Sequence, residues 1–351
     1  MKSRLSPSSL SGFVEPLESR IAPARVIQVG LPDFQGNDTN YTELNPSENI
    51  FVNTESNPLD NISGAVGGGA EGVKDTFYLR LSAGDRLDIY SDGEGGGFEP
   101  LLNVLSGNIV AFFVDYNGNN EVDANELTGI SLGKNASIDL NGAIQGDIVS
   151  NLDERGTKSL ADDTISMTGL VSNAQGIKGV RIGAEVGGSI ISGGNIDNVA
   201  VFGNVKAILA GVAADGRSID FFPNIAGGDG TLQVSQPNGK TGASISRVVV
   251  DSITERIEAG AGGAGAAGGS LKSIQITEDT NGFTLLSGAG GDAVSAKGKA
   301  GAGGAVQSVF IASLPDPTNN DLVQVLSGVG GRSLGGKGGA GGNVSDIHVG
   351  Y

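Results

Sequence analysis

The chain has 351 residues and a net charge of −17, with 60 glycines, one histidine, no cysteine and no tryptophan. This glycine content costs too much backbone entropy for a helical protein. The absence of cysteine excludes disulfides, thiolate metal sites and thiol nucleophiles. The acidic balance argues against nucleic acid and anionic membranes as partners, and no apolar run is long enough to predict a membrane span. We therefore expect an all-β protein with many tight turns.

The N-terminal segment, residues 1–25, is basic and serine-rich but lacks the apolar stretch of a standard signal peptide. Within it, Phe13–Pro23 resembles the LEPR-XLL-type N-terminal motif of large secreted bacterial surface proteins. The matching residues are Leu17, Glu18, Arg20 and Ile21. The resemblance implies export to the extracellular space or cell surface of a bacterium, with this segment as a targeting or processing element. The alternative is a disordered polar tail.

Residues 26–135 are expected to form an antiparallel β-sandwich, because short alternating segments are separated by turn residues. Val26–Val29 and Ile50–Val52 predict edge strands. Four further strands are predicted at Thr76–Leu81, Arg86–Tyr90, Leu101–Leu105 and Ile109–Val114. Ser82–Asp85 predicts a tight turn between the first two of these four.

Part of this region resembles the bacterial pre-peptidase C-terminal (PPC) domain. The resemblance is carried by Glu55–Asn57, Asp75–Asp85, Glu99–Leu101 and Gly107–Ala111. It implies a small β-sandwich of the kind attached to secreted enzymes and surface proteins, where it often assists adhesion or substrate binding. It implies no particular reaction.

Asp115–Glu126 has oxygen ligands at the spacing of an EF-hand-type calcium loop, which uses positions 1, 3, 5, 7, 9 and 12. The residues at these positions are Asp115, Asn117, Asn119, Glu121, Asp123 and Glu126. Carboxylate and amide oxygens suit Ca²⁺ better than a transition metal, and Glu126 would be the bidentate ligand. The sixth position has Asn120 where such loops have glycine. The alternative is a polar turn between two strands.

Residues 136–180 predict transition strands, with short strand-like pieces at Ile138–Leu140, Gly142–Val149 and Ile165–Val171. Residues 181–351 contain two alternating glycine-rich templates. The first, Gly-Gly-x-apolar-x-x-apolar-x-apolar, occurs at Gly193–Val201, Gly242–Val250, Gly268–Ile276, Gly303–Ile311 and Gly341–Val349. The second occurs at Ile257–Gly263, Leu285–Gly291 and Val325–Gly331. A fixed apolar pattern with variable insertions predicts a parallel β-solenoid whose coils bury their apolar faces against each other. A second sandwich or a propeller-like array is the alternative.

The glycine-rich insertions between the templates are either flexible loops or segments in which glycine lets backbones pack closely. They match neither the calcium-binding nonapeptide repeat nor a phosphate loop. The sequence stops directly after a template without an evident polar cap, so we expect either another form of capping or a longer protein.

No catalytic constellation is visible. The only histidine, His348, is expected to be a surface residue, and the arginines available for polysaccharide-lyase chemistry, Arg181, Arg247 and Arg256, have no recurring aspartate beside them. We therefore expect a non-catalytic, exported structural or adhesive protein stabilised by Ca²⁺. Its partners would be cell-envelope or extracellular polysaccharide, or other surface proteins. The alternative is a polysaccharide-binding or polysaccharide-degrading β-helix protein.

Overall fold

The computed structural model describes residues 26–29, 41–43, 50–51, 76–91, 97–114, 124–150, 176–212, 240–278, 282–313 and 322–350. These ranges contain β-strands, one 3-10 turn and irregular connections, so the expected all-β class is confirmed. No helix within them is long and apolar enough to cross a membrane. The segment 1–25 with its motif, and the strand predicted at 165–171, lie outside the described residues.

The first group of strands pairs mainly antiparallel. It contains β1 (Val26–Val29), β2 (Tyr41–Glu43), β3 (Ile50–Phe51), β4 (Thr76–Ser82), β5 (Arg86–Ser91), β6 (Gly97–Ser106) and β7 (Asn108–Val114). Strand β4 lies between β3 and β7, and β5 pairs with β6, all antiparallel. Strand β1 pairs antiparallel with β2 and parallel with β5. The four main predicted strands are therefore confirmed, although β6 begins at Gly97, earlier than expected.

The predicted turn between β4 and β5 is also present. The Asp85 amide donates to the Ser82 carbonyl oxygen at 2.9 Å, and the Ser82 amide donates to Asp85 Oδ2 at 2.7 Å. Gly84 has a φ of 90°, a conformation that residues with a Cβ atom rarely adopt. The turn directs Leu81 and Leu87 into the same core, where both are buried.

The second group of strands pairs parallel. It contains β8 (Leu127–Leu132), β9 (Ser137–Leu140), β10 (Ile148–Ser150), β11 (Ile177–Ile182), β12 (Ile190–Ser192), β13 (Ile196–Ala210), β14 (Ile245–Glu258), β15 (Leu271–Ile276), β16 (Thr284–Leu286), β17 (Val306–Ile311), β18 (Gln324–Leu326) and β19 (Val344–Val349). Strands β13 and β14 are long enough to contribute to two different rows of pairing. The two rows are named here the first and the second ladder.

The first ladder runs in the order β9, β11, β13, β14, β15, β17 and β19. Its register places one apolar residue of each strand over the next: Ile138, Val180, Val199, Val248, Ile274, Val309 and Ile347. The second ladder runs through β8, β10, β12, the ends of β13 and β14, β16 and β18. It stacks Ile130, Ile148, Ile190, Ile208, Ile257, Leu285 and Val325.

The two groups of strands share β8 and β9. Strand β8 pairs antiparallel with β7 and parallel with β10, and β9 pairs antiparallel with β6 and parallel with β11. As a result, one hydrophobic cluster extends from Leu81 in the antiparallel group to Ile311 in the parallel group. This cluster crosses residue 135, and the domain boundaries expected from the sequence stay a prediction.

A backbone irregularity explains the apolar-x-x-apolar spacing of the first template. In an ordinary strand, two residues separated by two others would face opposite sides. Here the residue before the second apolar position has a positive φ, which reverses the alternation and brings both apolar side chains into the core. These residues are Gly179, Asn198, Arg247, Ser273, Ser308 and Asp346, and they occupy the same position in six strands of the first ladder.

The glycine-rich segments 259–269, 287–304 and 327–342, named here the glycine layers, connect the second ladder back to the first. They are packed segments and not open loops. A chain of backbone hydrogen bonds of 2.7 to 3.1 Å runs through them, from Gly260 to Ala243, Gly269 to Gly260, Gly288 to Gly269, Gly304 to Gly288, Gly328 to Gly304 and Gly342 to Gly328. Of the two alternatives left open by the sequence, close backbone packing is the one the structure contains.

The hydrogen bonds of the glycine layers recur every third residue. The Gly288 and Gly291 amides donate to the Gly269 and Ala266 carbonyl oxygens, so donors and acceptors are both three residues apart. This spacing matches the three residues per turn of polyproline II geometry and not the two-residue alternation of a strand. A Cβ atom on Gly304 would overlap the Gly269 carbonyl oxygen, and most glycines of these layers face a similar obstruction.

Candidate functional site

The predicted calcium loop connects β7 to β8. The two strands form an antiparallel hairpin in which Phe113 lies opposite Leu127. The predicted strand before the loop is therefore present, and a strand follows directly after it. Of the six predicted ligands, five lie outside the described residues: Asp115, Asn117, Asn119, Glu121 and Asp123. A calcium loop and a polar turn would both connect a hairpin in this position.

Glu126, the sixth predicted ligand, ends a 3-10 turn at Ala124–Glu126 and directly precedes β8. It is only 1% exposed, next to the fully buried Leu127. An ionised carboxylate at this depth requires hydrogen-bond donors or a cation. Its position is that of the bidentate glutamate in the predicted loop, at the boundary between the loop and the core. Within the described part of the chain, no group of three or more histidine, aspartate and glutamate side chains is placed to hold a metal ion.

Arg181 and Arg247, two of the arginines considered for lyase chemistry, lie on the outward face of the first ladder. Arg181 Nη1 donates to Asp139 Oδ1 at 2.9 Å, and Arg247 Nε donates to Asp197 Oδ1 at 2.7 Å. The Arg247 Nη2 atom also contacts Asp197 Oδ2, which makes this pair bidentate. Each arginine is thus held by an aspartate of the neighbouring strand in the first ladder, so its charge is engaged in an ion pair.

Arg256 lies elsewhere, in the part of β14 that belongs to the second ladder. Its Nε atom donates to Glu258 Oε2 at 2.9 Å, and its Nη1 atom lies 3.9 Å from Glu255 Oε2. The three arginines therefore do not converge on one site.

The Asp197 carboxylate is the most strongly hydrogen-bonded of these acids. Besides Arg247, it accepts a hydrogen bond from Ser246 Oγ at 2.8 Å. The hydrogen bonds and the charge of Arg247 lower the pKa of Asp197 below its ordinary value, although burial acts in the opposite direction. The group is ionised at neutral pH and acts as a fixed anchor for Arg247.

His348 contacts an aspartate in a way that the sequence did not predict. Its Nε2 atom lies 2.7 Å from Asp346 Oδ1, and Ser308 Oγ donates to Asp346 Oδ2 at 2.8 Å. The three residue types are those of a catalytic triad, but their hydrogen bonds are arranged differently. Here the serine and the histidine both contact the aspartate. In a triad the histidine must accept the serine proton. This exposed cluster lacks that contact, and the two hydrogen bonds lower the pKa of Asp346.

An aromatic and a cationic side chain meet on the outward face. The guanidinium carbon of Arg181 lies 5.0 Å from the ring centre of Phe202, which is 46% exposed. This distance is within the range of a cation–π contact. The pair provides an exposed planar surface beside the Arg181–Asp139 ion pair.

The sequence did not point to Asp139 and Asp197 because each is separated from its arginine by 42 or 50 residues. The signal that would have found Asp197 is the template itself. Aligning Gly193–Val201 with Gly242–Val250 places Asp197 beside Ser246 and next to the position of Arg247.

Scans against protein-family models, curated proteins and solved structures gave no match. The two family resemblances noted in the sequence therefore stay predictions.

Proposed function

We propose that this is a non-catalytic, exported or cell-surface protein of structural or adhesive function, stabilised by Ca²⁺ in the β7–β8 connection. Its body would be a parallel β-solenoid that continues from an antiparallel β-sandwich. The observation that carries this proposal is the register of the two ladders, in which coil after coil buries an equivalent apolar residue. A stack of this kind forms a stiff rod whose length depends on the number of coils.

The position of Glu126 supports the calcium part of the proposal. A calcium ion in the loop would fix the β7–β8 hairpin at its connection. Because β8 also pairs parallel with β10, the ion would stabilise the point where the antiparallel and parallel strands meet. Calcium modules outside cells bind with dissociation constants near roughly 10⁻⁴ to 10⁻³ M. Such a site fills in a calcium-rich extracellular medium and stays empty at cytoplasmic calcium levels, which fits an exported protein with an acidic surface.

Thermal unfolding of the full chain tests the calcium site. Filling it with about 2 mM Ca²⁺ would raise the free energy of unfolding by about 0.6 to 1.8 kcal/mol over the chelator-treated protein. We expect a rise in Tm of a few degrees in the wild type and none in Asp115→Ala or Glu126→Gln. Asp346→Ala, which removes an exposed carboxylate far from the loop in sequence, is the control and should respond like the wild type. Equal Tm values with Ca²⁺ and with chelator in the wild type would remove calcium from the proposal.

Polysaccharide binding is the second candidate function, and the exposed Arg181–Phe202 pair favours it. Sugar rings pack against exposed aromatic faces, while charged groups beside them provide hydrogen bonds. Affinity electrophoresis in gels that contain neutral or acidic polysaccharides, with Ca²⁺ present, measures binding. Phe202→Ser should reduce a retardation that Phe310→Ser, another exposed aromatic of the first ladder, leaves unchanged. Release of new reducing ends would instead indicate a degrading enzyme, and no retardation in any gel would remove this candidate.

A further inference from the structure

The second glycine layer folds back on itself at its outer end. At this turn the Gly298 amide donates to the Ser295 carbonyl oxygen at 2.9 Å. Two residues after Lys299, the Gly301 amide donates to the Gly291 carbonyl oxygen at 2.8 Å. The layer therefore has an outgoing and a returning half, and Lys299 begins the returning half.

The third glycine layer repeats this arrangement. The Gly336 amide donates to Ser333 Oγ at 2.8 Å, and Lys337 follows this turn directly. The Gly339 amide then donates to the Gly331 carbonyl oxygen at 2.9 Å. A lysine therefore begins the returning half of the second and of the third layer.

The two turns lie against each other. A Cβ atom on Gly335 would be 3.2 Å from the Cβ atom of Ala296. Lys297 and Lys299 therefore belong to a turn that touches the turn before Lys337. Since the layers are joined by backbone hydrogen bonds, the backbone positions from which these three side chains extend are fixed along the stack.

Two further basic residues lie along the same side of the stack. The Gly263 amide donates to the Lys240 carbonyl oxygen at 2.8 Å, so Lys240 lies beside the first glycine layer. The Arg332 amide donates to Asp292 Oδ1 at 2.6 Å, so Arg332 lies beside the second layer. We name the following five exposed residues the basic edge: Lys240, Lys297, Lys299, Arg332 and Lys337. Among the described residues, none of their side chains forms an ion pair.

The basic edge contrasts with the rest of the protein in charge. Asp292 is the only acid in the three glycine layers, and its Oδ1 atom accepts the Arg332 amide. The described residues that lead from the first ladder to the second, 251–258 and 277–278, contain four acids and one arginine. The net charge of the whole chain is −17. The basic edge is therefore a positive row on a strongly acidic protein.

We propose that the basic edge binds a linear acidic polysaccharide, with carboxylate or sulfate groups of the polymer paired with basic side chains of successive glycine layers. Lysine and arginine attract such groups, and the attraction weakens with distance and with salt. A single polysaccharide chain is narrow, so it can follow the edge without bringing its charges against the acidic remainder of the surface. The basic edge is separate from the Arg181–Phe202 pair, so this inference does not depend on that pair or on calcium.

The composition of the edge distinguishes among anionic partners. Proteins that bind single-stranded nucleic acid stack its bases on aromatic side chains, and the three glycine layers contain no aromatic residue. Duplex nucleic acid and anionic membranes present wide surfaces, which would also face the acidic side chains nearby. Two apolar side chains at the turns, Val294 and Leu334, are each 72% exposed and provide contact for the apolar faces of sugar rings.

Binding of the full chain to soluble polymers tests the proposal. Polygalacturonate is the carboxylated probe, dextran sulfate the sulfated probe and dextran the neutral one. Isothermal titration calorimetry measures binding in the presence of a chelator, since calcium ions would otherwise bridge the acidic protein surface and the polymer. We expect an acidic probe to bind, more weakly as salt is added, and dextran not to bind. Tighter binding of one acidic probe would identify the anionic group that the edge prefers.

The double variant Lys299→Gln/Lys337→Gln should raise the Kd for the acidic probe by about three- to tenfold, because two exposed ion pairs with the polymer are lost. Lys178→Gln/Lys272→Gln is the matched control. It removes the same charge from two exposed lysines on the outward face of the first ladder. The control should change the Kd by less than about twofold, because its lysines lie outside the basic edge.

Three results would overturn the proposal. They are no binding of either acidic probe, equal losses in the two double variants, and binding of another anionic partner that is at least as tight as that of the polysaccharides. The other partners to compare are single-stranded DNA and vesicles of equal parts phosphatidylcholine and phosphatidylserine. Phe202→Ser separates this site from the second candidate function, since it should leave the Kd of the acidic probe unchanged. A Kd that rises in Phe202→Ser and not in Lys299→Gln/Lys337→Gln would assign the polymer to the Arg181–Phe202 pair instead.

Discussion

Two neighbouring regions of the chain pack in different ways. Strands β14 and β15 pack through their side chains, whereas the glycine layer that connects them, residues 259–269, packs through its backbone. The strands place branched apolar side chains such as Val248 and Ile274 over each other, and these side chains are buried. The glycine layer has almost no side chains to bury. It is joined to the next glycine layer through backbone hydrogen bonds, such as that from the Gly288 amide to the Gly269 carbonyl oxygen at 2.8 Å.

The two kinds of packing respond differently to a change of residue. An apolar core loses stability when atoms are removed, because a cavity forms and burial is lost. A glycine layer loses stability when an atom is added, because the neighbouring backbone occupies the space where a Cβ would lie. The same substitution to alanine therefore acts as a deletion in one region and as an insertion in the other.

Ile274→Ala should have the largest effect. Ile274 is 1% exposed and lies between Val248 and Val309 in the first ladder. We expect the free energy of unfolding to fall by about 2 to 5 kcal/mol through lost burial and a residual cavity. Denaturant unfolding measures it, with Gln275→Ala, at the next and exposed position, expected within about 0.5 kcal/mol of wild type. Equal losses in both variants would contradict a side-chain core at this ladder.

Gly304→Ala should have the next largest effect. The added methyl group would overlap the Gly269 carbonyl oxygen, and relieving that overlap moves backbone that is hydrogen-bonded on both sides. We expect a loss of about 1 to 3 kcal/mol in denaturant unfolding. Gly341→Ala is the control, because the nearest atom to its Cβ position is the Gly328 carbonyl oxygen at 3.9 Å. If Gly304→Ala were as stable as Gly341→Ala, the glycine layers would not be closely packed.

Ser273→Gly should increase stability. Ser273 has a φ of 56°, a conformation that costs a residue with a Cβ about 1 to 2 kcal/mol, partly offset by the larger backbone entropy that glycine loses on folding. The expected gain is about 0.5 to 1 kcal/mol, measured by denaturant unfolding. Lys272→Gly, at the preceding position of the same strand, should instead lower the free energy of unfolding by about 0.5 to 1 kcal/mol. A gain in the free energy of unfolding at both positions would contradict the difference in backbone conformation between Ser273 and Lys272.

Asp197→Asn should have the smallest effect, below about 1 kcal/mol, because its partner Arg247 is an exposed side chain. The pKa of Asp197 is lowered in the folded protein. The ion pair therefore contributes stability above the ordinary aspartate pKa, and this contribution is lost as the pH falls through the lowered folded pKa. The difference in unfolding free energy between variant and wild type should shrink at low pH and in high salt. A difference that is constant over pH would contradict this ion pair.

Much of the strand pattern could be predicted because it depends on local alternation. The strands at Thr76–Leu81 and Ile109–Val114 were expected within one residue at each end. The first template located β13, β14, β15, β17 and β19, since its apolar positions are those that face the core. By contrast, Gly142–Val149 was expected to contain one strand-like piece, and the structure has an isolated bridge at Ile144 followed by β10.

The site was predictable only in part. A ligand spacing within twelve residues is visible in the sequence, and it leads to Asp115–Glu126. Of the six predicted ligands, Glu126 lies among the described residues. The pairs Arg181–Asp139 and Arg247–Asp197 were not visible, because the partners come together only when the strands of the first ladder pair in a specific register. The contact between His348 and Asp346 was missed for a different reason. Strand alternation already places two residues that are two positions apart on one face, but only His348, and not Asp346, was considered as a candidate site residue.

The sequence by itself determined the all-β class, since its glycine content disfavours helices and its apolar residues recur at strand spacing. It also determined which residues of each template enter the core. Only the tertiary structure decided that β8 and β9 join the antiparallel and parallel strands into one core, because sharing a strand requires two partners distant in sequence. Only the tertiary structure decided that the glycine-rich segments are packed layers. A glycine has no side chain to indicate its neighbour, and the hydrogen bonds that order it form between glycine layers that are distant in sequence.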